Sequence, residues 1–247
     1  MNSKHPLDLL VRNLELRTPL SKAAREAILA LPHTLRTIEP STYIVREGEP
    51  PTKCGVLVSG FAYRQKITGD GARQIMAIHL PGDAVDFQNL FLDVSDHNVQ
   101  MLTRGEVAFV PREALKALAR SHHEIGNAMF VTTLIDASIF REWVVNVGRR
   151  QARQRIAHLL CELGSRLDAL GLTEEYGYEL PMTQEELGDA VGLTPVHVNR
   201  TLKALAADGL IVRSSKRSIS FPSWQAMREA GDFNERYLHM EPQLSAQ

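Results

Sequence analysis

The spacing of apolar residues changes twice along this chain, and each regime predicts a different kind of element. From about Ser21 to Ala30 the apolar positions follow the period of an amphipathic helix. Residues 34 to 111 then carry short β-type runs broken by glycine and proline. The runs are Val56-Leu57-Val58, Phe61-Ala62-Tyr63-Arg64, Gln74-Ile75-Met76-Ala77-Ile78-His79-Leu80 and Val107-Ala108-Phe109-Val110, with Asp70-Gly71 as a hairpin turn. Turn signals at that spacing predict a compact antiparallel sandwich or barrel.

At Ser121 the period lengthens again. Ser121 followed by Glu124 reads as a capping box, and after Gly126 no breaker appears until Gly148. Such a helix measures roughly 40 Å, too long to lie wholly against a small β-domain. Ile125, Met129, Thr132, Ile135, Ile139 and Trp143 fall at three- and four-residue steps, while Phe130, Leu134, Ala137, Val144 and Val147 form a neighbouring stripe. One stripe is free to pack on the β-domain and the other on the same helix of a second chain, in a parallel coiled coil. The first stripe is the expected dimer face. A helix buried between two domains of one chain would carry the same pattern. Asp136, an acid in mid-helix, is expected at the edge of the stripes or paired.

Residues Thr183 to Leu205 write two helix starts into the chain. Thr183 and Glu186 form a capping box for a first helix running to about Val191, which buries Leu187 and Val191. Gly192 supplies a tight turn. Thr194 is an N-cap and Pro195 occupies the first helical position, where its missing N–H costs nothing. A second helix therefore runs from Pro195 to about Ala207, with Val198, Leu202 and Leu205 facing inward. Asp208-Gly209 stops it, and Leu210-Ile211-Val212-Arg213 and Ser218-Ile219-Ser220-Phe221 read as two strands around Ser214-Ser215-Lys216-Arg217.

The whole is the pattern of a winged helix-turn-helix. His197, Asn199, Arg200 and Lys203 lie outside the apolar stripe, and their donors suit base edges and phosphates in a major groove. Thr183, Thr194 and Pro195 sit at the two helix starts beside them, and Lys216 and Arg217 at the wing tip are placed to touch phosphate. Double-stranded DNA is the first candidate partner. An ordinary αα-hairpin packed in another domain is the alternative that the first two helices leave open.

Composition narrows the classes. The 247 residues, 44% hydrophobic, suffice for two cores. A net charge of −1 means that any DNA affinity comes from a local patch rather than a diffuse cationic coat. No apolar run approaches a membrane span and the N-terminal stretch is charged, so no membrane partner is expected and the cytoplasm is the expected location. The two cysteines, Cys54 and Cys161, read as small buried hydrophobes and cannot build a four-thiolate site. No HExxH, no GxSxG and no phosphate-cradling loop is present, so the chain is not expected to be an enzyme.

A β-roll, a long helix and a winged helix-turn-helix in that order resemble the Crp/Fnr family of bacterial transcription regulators. The resemblance is carried by the Gly60 turn, the Leu80-Pro81-Gly82-Asp83 corner, Arg155-Ile156-Ala157 and the helix-turn-helix. A proteobacterial group within the family is matched more closely, through Arg141-Glu142-Trp143, Gly148-Arg149-Arg150, Ile156-Ala157-His158-Leu159-Leu160-Cys161-Glu162-Leu163 and Val196-His197-Val198-Asn199-Arg200-Thr201-Leu202. The implied fold is α+β: an antiparallel β-roll like a cyclic-nucleotide-binding jelly roll with an N-terminal helix over 1–118, a dimerisation helix over 119–149, a winged helix-turn-helix over 150–225 and a tail over 226–247. Trp224 to Gly231 reads as a short helix in that tail, and Tyr237-Leu238-His239 is expected to dock back on the DNA-binding domain.

The resemblance also implies a mode of action. A homodimer would place two recognition helices in successive major grooves of an inverted repeat. Arg200 aligns with the arginine that reads a guanine, whereas Pro195 and Val196 stand where some relatives carry further base-reading arginine or glutamate. His197 and Asn199 are then the remaining base readers. RNA polymerase is a further partner if the protein is an activator.

The effector end departs from the family pattern. Cyclic-nucleotide-binding members carry glycine and glutamate followed by a phosphate-clamping arginine; here Asp86 and Phe87 take the first two positions, and Leu92 to His97 brings aspartates near the third. Cyclic AMP is not expected. The oxygen-sensing branch needs an N-terminal cysteine cluster, absent from residues 1 to 33, so no iron–sulfur cluster is expected. Haem would require axial ligands such as His79 or His97 and is not expected either. Gln74, His79, Asp86, Gln88 and His97 are the candidate lining of a pocket for an unidentified effector, with no cofactor assigned. The alternative function is a small-ligand or protein-interaction module that has lost DNA binding.

Overall fold

A computed structural model describes residues 5–173, 177–215 and 217–240. The backbone divides into one unit of Met1–Lys66, Ala77–Ala137 and His239–Gln247 and a second of Ile67–Met76 and Ser138–Leu238. The class is α+β, as the element pattern predicts.

The first unit opens with two short helices, α1 (Asp8–Glu15) and α2 (Lys22–Leu29). Ser21 caps α2 by accepting a hydrogen bond from Ala24 N at 3.1 Å. Seven strands follow along the chain, β1 (Thr34–Ile38), β2 (Tyr43–Val45), β3 (Lys53–Leu57), β4 (Ala62–Ile67), β5 (Arg73–His79), β6 (Asn98–Met101) and β7 (Gly105–Pro111), with Ile67 and residues 73–76 counted in the second unit. They build two sheets, ordered β1-β7-β3 and β2-β6-β4-β5. Alternating residues of both sheets meet inside, where Leu57, Ala62, Val85, Val99, Met101, Val107 and Phe109 form one cluster. A second cluster joins Val56, Ala108 and Val110 on the sheet to Leu10, Leu14, Ile28, Leu115 and Ile125 on the helices. The Leu80–Asp83 corner is held by Asp83, whose carboxylate accepts from Leu80 N at 2.9 Å and from Asn13 Nδ2 at 2.7 Å. Gly82 has φ +95°, and a Cβ there would lie 2.8 Å from Leu9 O, so only glycine fits.

Three features differ from the sequence expectation. A helix α3 (Arg112–Ser121) precedes the long helix, α4 (His123–Arg149). Ser121 therefore closes α3, with its hydroxyl donating to Ala117 O at 3.0 Å, and the Ser121–Glu124 capping box does not form. The Glu124 carboxylate instead accepts from the Ser21 backbone N–H at 2.9 Å and from the Ser21 hydroxyl.

The expected dimer face of α4 is the second correction. Ile125, Met129, Ile135, Ile139 and Trp143 are all buried within the single chain, and half-buried Thr132 turns its hydroxyl onto Ala128 O at 2.9 Å. These residues serve the chain's own cores. The open stripe is the neighbouring one: Phe130, Leu134 and Val144 are 62%, 51% and 69% exposed, and Ala137, Arg141 and Gly148 complete it at alternating three- and four-residue steps.

The second unit contains the end of α4 with α5 (Ala152–Ala169), β8 (Gly177–Glu179), α6 (Gln184–Val191), α7 (Pro195–Ala207), β9 (Ser218–Ser220) and α8 (Trp224–Ala230). The third correction lies in the wing. Leu210–Arg213 is not a strand; Val212 alone bridges Ser220, and β9 takes its ladder from β8, a three-residue element too short to read in sequence.

A buried carboxylate ties this unit together. Glu162 on α5 accepts from Trp143 Nε1 at 3.0 Å and from the Tyr237 hydroxyl at 2.8 Å, and pairs with Arg166 at 3.5 Å. Burial raises the Glu162 pKa, against the opposing pull of Arg166 and these donors. Tyr237 also meets His158 Nε2 at 3.0 Å, and Leu238 is fully buried, so this part of the tail docks as expected.

Candidate nucleic-acid interface

Each signal at Thr183–Leu205 is realised in local geometry. Thr183 Oγ1 accepts from Glu186 N at 3.2 Å, and Glu186 Oε2 accepts from Thr183 N at 2.7 Å. Gly192 ends α6 in the left-handed region at φ +67°. Thr194 Oγ1 accepts from His197 N at 3.3 Å, with Pro195 at the start of α7. Val198, Leu202 and Leu205 are buried, which fixes the opposite face of α7 toward solvent.

That outer face forms an open groove of about 500 Å³ lined by Gln184, Pro195, Val196, Asn199, Arg200 and Lys203. Four of the expected contact residues, Pro195, Asn199, Arg200 and Lys203, thus come together. Arg200 and Lys203 are exposed, and Asn199 Nδ2 donates to Gln184 Oε1 at 3.1 Å. His197 is half-buried and outside the lining, and Thr183 and Thr194 act as helix caps. In the wing Arg217 is exposed, while Lys216 lies outside the described residues.

Two lining residues were not among the sequence candidates. Gln184 follows the cap of α6, and its role depends on how α6 crosses α7, which no local pattern encodes. Val196, which the sequence places where some relatives carry a base-reading residue, is apolar and 80% exposed.

Behind the groove, Arg155 Nη1 donates to Val191 O at 3.0 Å, satisfying a carbonyl at the end of α6. Arg73 Nε donates to Asp189 Oδ2 at 2.6 Å, and Gln74 Nε2 donates to Asp189 O at 2.8 Å. The Gln74 side chain is thus engaged by the helix-turn-helix.

Among the other effector candidates Asp86 and His97 meet. Asp86 and His97 are buried, with Oδ2 and Nε2 3.6 Å apart. Asn89 Nδ2 donates to Asp86 Oδ2 and lies 2.7 Å from Ser95 Oγ, and His97 Nδ1 sits 2.7 Å from Asp96 Oδ1. Burial pushes the Asp86 carboxyl up to about 7, opposed by Arg64 and reinforced by Asp96 and Asp136. Burial also lowers His97, with Arg64 adding to the effect. Arg64, buried beside them, donates to Val85 O at 2.8 Å. His79 instead faces Asp83 at 3.8 Å, and Gln88 lies half-buried in the Phe87–Leu90 turn. Burial pushes both cysteine thiols up to about 12, so neither carries appreciable thiolate at neutral pH.

Comparison with known proteins agrees with this layout. A cyclic nucleotide-binding domain model matches residues 35–122 and a Crp-like helix-turn-helix domain model matches residues 154–230. The transcriptional activator protein FnrL of Cereibacter sphaeroides is 29% identical over 201 residues, covering 80% of each chain. The nitrogen fixation regulation protein FixK of Azorhizobium caulinodans is 29% identical over 173 residues, 70% of this chain and 69% of that one. Among solved structures, FixK2 from Bradyrhizobium japonicum superposes with a TM-score of 0.74 at 26% identity, covering 81% of this chain and 98% of that one. With a β-roll, a long helix and a capped helix-turn-helix that exposes Arg200 and Lys203, the chain is a DNA-binding transcription regulator of the Crp/Fnr family.

Proposed function

We propose that the protein binds an inverted-repeat operator as a homodimer, with α7 of each copy in one major groove and Arg200 on a guanine. The observation that carries this reading is the groove on α7, where Arg200 and Lys203 project beside Asn199 from a helix locked at its start by Thr194 and Pro195. Arginine offers a bidentate fork to guanine O6 and N7, and lysine a point charge to phosphate. Two-fold symmetry is supported by the apolar stripe Phe130, Leu134, Ala137 and Val144, which a second α4 would cover in a parallel pair.

The input of this regulator is not cyclic AMP. A cyclic phosphate needs cationic donors, and the Asp86 region presents a buried carboxylate, while its arginine, Arg64, already serves Val85 O. The relatives named as transcriptional activators favour RNA polymerase as the further partner and the cytoplasm as the place of action. Among the described residues no helix is long and apolar enough to cross a membrane, and the reading assigns no catalytic step.

A mobility-shift titration on the DNA upstream of the protein's own gene, at fixed and stated salt, tests the proposal. Salt-sensitive, sequence-specific retention is expected. Absence of binding both with and without cell extract would overturn it in favour of a module that has lost DNA binding.

A further inference from the structure

Val196 is the most exposed large hydrophobic side chain among the described residues, at 80%. Folding does not explain it. Val198, Leu202 and Leu205 already close the inner face of α7, and a β-branched residue weakens a helix relative to alanine. Val196 nevertheless lines the recognition groove, in the first turn of α7 and on the same face as Arg200 and Lys203, four and seven residues further on.

The two cations identify the occupant of that face. They draw it to an anionic duplex, and the first turn of a recognition helix is the end that meets base edges. Val196 has no donor or acceptor to offer there. The apolar feature that base pairs present in the major groove is the C5-methyl group of thymine. A cytosine at the same place would set its N4 amino donor against valine methyls with no acceptor. Asn199 already donates to Gln184 Oε1 at 3.1 Å, and His197 is half-buried outside the groove lining, which leaves Val196 as the first-turn probe.

We infer that Val196 reads a thymine methyl group in each half-site, one or two base pairs from the guanine contacted by Arg200. The spacing follows from the four-residue step between Val196 and Arg200, about 6 Å along the helix axis, set against a base-pair rise of roughly 3.4 Å. The inference rests on the reading of α7 as the helix in the groove.

The test replaces thymine by uracil, which removes the methyl group and leaves every hydrogen bond intact. Random duplexes are first selected with the purified full-length protein, and each thymine of the resulting half-site is then replaced in turn. For the wild type, one thymine per half-site should matter, with affinity falling roughly fourfold for one replacement and about 15-fold for both halves. Val196→Ala, a change at an exposed position to a better helix former, should lose most of the discrimination between thymine and uracil operators while keeping its dependence on the guanine. An operator in which no uracil replacement weakens the wild type, or undiminished discrimination by Val196→Ala, overturns the inference alone if the inverted repeat and the Arg200 dependence persist. If selection returns no preferred sequence, the inference falls together with the recognition-helix reading.

Discussion

Leu134 and Ile135 are neighbours on α4 with opposite surroundings, so truncating each in turn separates the face that meets a second chain from the face that holds this one. In the single chain Leu134 is 51% exposed and Ile135 is 4% exposed. Fully burying a leucine side chain contributes roughly 1.5–3 kcal/mol, so covering the exposed half of Leu134 contributes about 0.8–1.5 kcal/mol per copy. A two-fold interface counts it twice, about 1.5–3 kcal/mol, which raises the dimer dissociation constant about ten- to a hundredfold in Leu134→Ala. Ile135→Ala removes interior volume instead and costs about 2–5 kcal/mol of folding stability. Sedimentation velocity over a dilution series, paired with urea unfolding of the same samples, measures both quantities. Leu134→Ala should dissociate at higher concentration with unfolding of the separated chain little changed, while Ile135→Ala should unfold early but remain paired when folded. The reverse pattern would refute the assignment of the stripes.

Three further outcomes follow from the same structure. Lys203→Ala should weaken DNA binding about equally across sequences and lower the salt slope by about one per copy; an unchanged slope in titrations at several salt concentrations would show that Lys203 does not reach a phosphate. Asp86, with its folded pKa raised to about 7, contributes stability that is fully present at acid pH and is lost as the pH rises toward 7. Unfolding curves of Asp86→Asn against the wild type between pH 4 and 8 should therefore converge at the acid end and separate toward neutrality, the wild type losing more, and parallel curves would contradict the buried carboxylate. Tyr237→Phe removes one donor to buried Glu162 and should cost about 1–3 kcal/mol in thermal unfolding, whereas an unchanged midpoint would mean that the tail does not brace α5.

The parts of the molecule that could be read from sequence are those whose signals are local. The capping box at Thr183–Glu186, the left-handed Gly192 and the Thr194-Pro195 start each span a few residues, and α6 and α7 form within a residue or two of the expected ends. Strand β6 is not legible in sequence because its run Asn98-Val99-Gln100-Met101 alternates buried polar with buried apolar residues. Gln100 tolerates burial because its Oε1 accepts from Tyr63 and Gln65 across the sheet, at 2.7 and 2.8 Å, and those partners lie far away in sequence. The two stripes of α4 are alike in hydrophobicity, so periodicity cannot say which one faces the core; tertiary packing decides. Ser121 shows how a correct local motif loses to an unseen neighbour, since α3 uses its hydroxyl before α4 begins. At the groove, Arg200 is legible from its type and position and Val196 from its place in the first turn of α7, whereas Gln184 depends on how α6 crosses α7.

Footprinting of the wild type and Arg200→Ala on the selected operator tests the central claim most directly. Protection of two half-sites about one helical turn apart is expected for the wild type, with Arg200→Ala losing about 1–3 kcal/mol of discrimination at one guanine in each half. Undiminished and equally selective protection by Arg200→Ala would contradict the account.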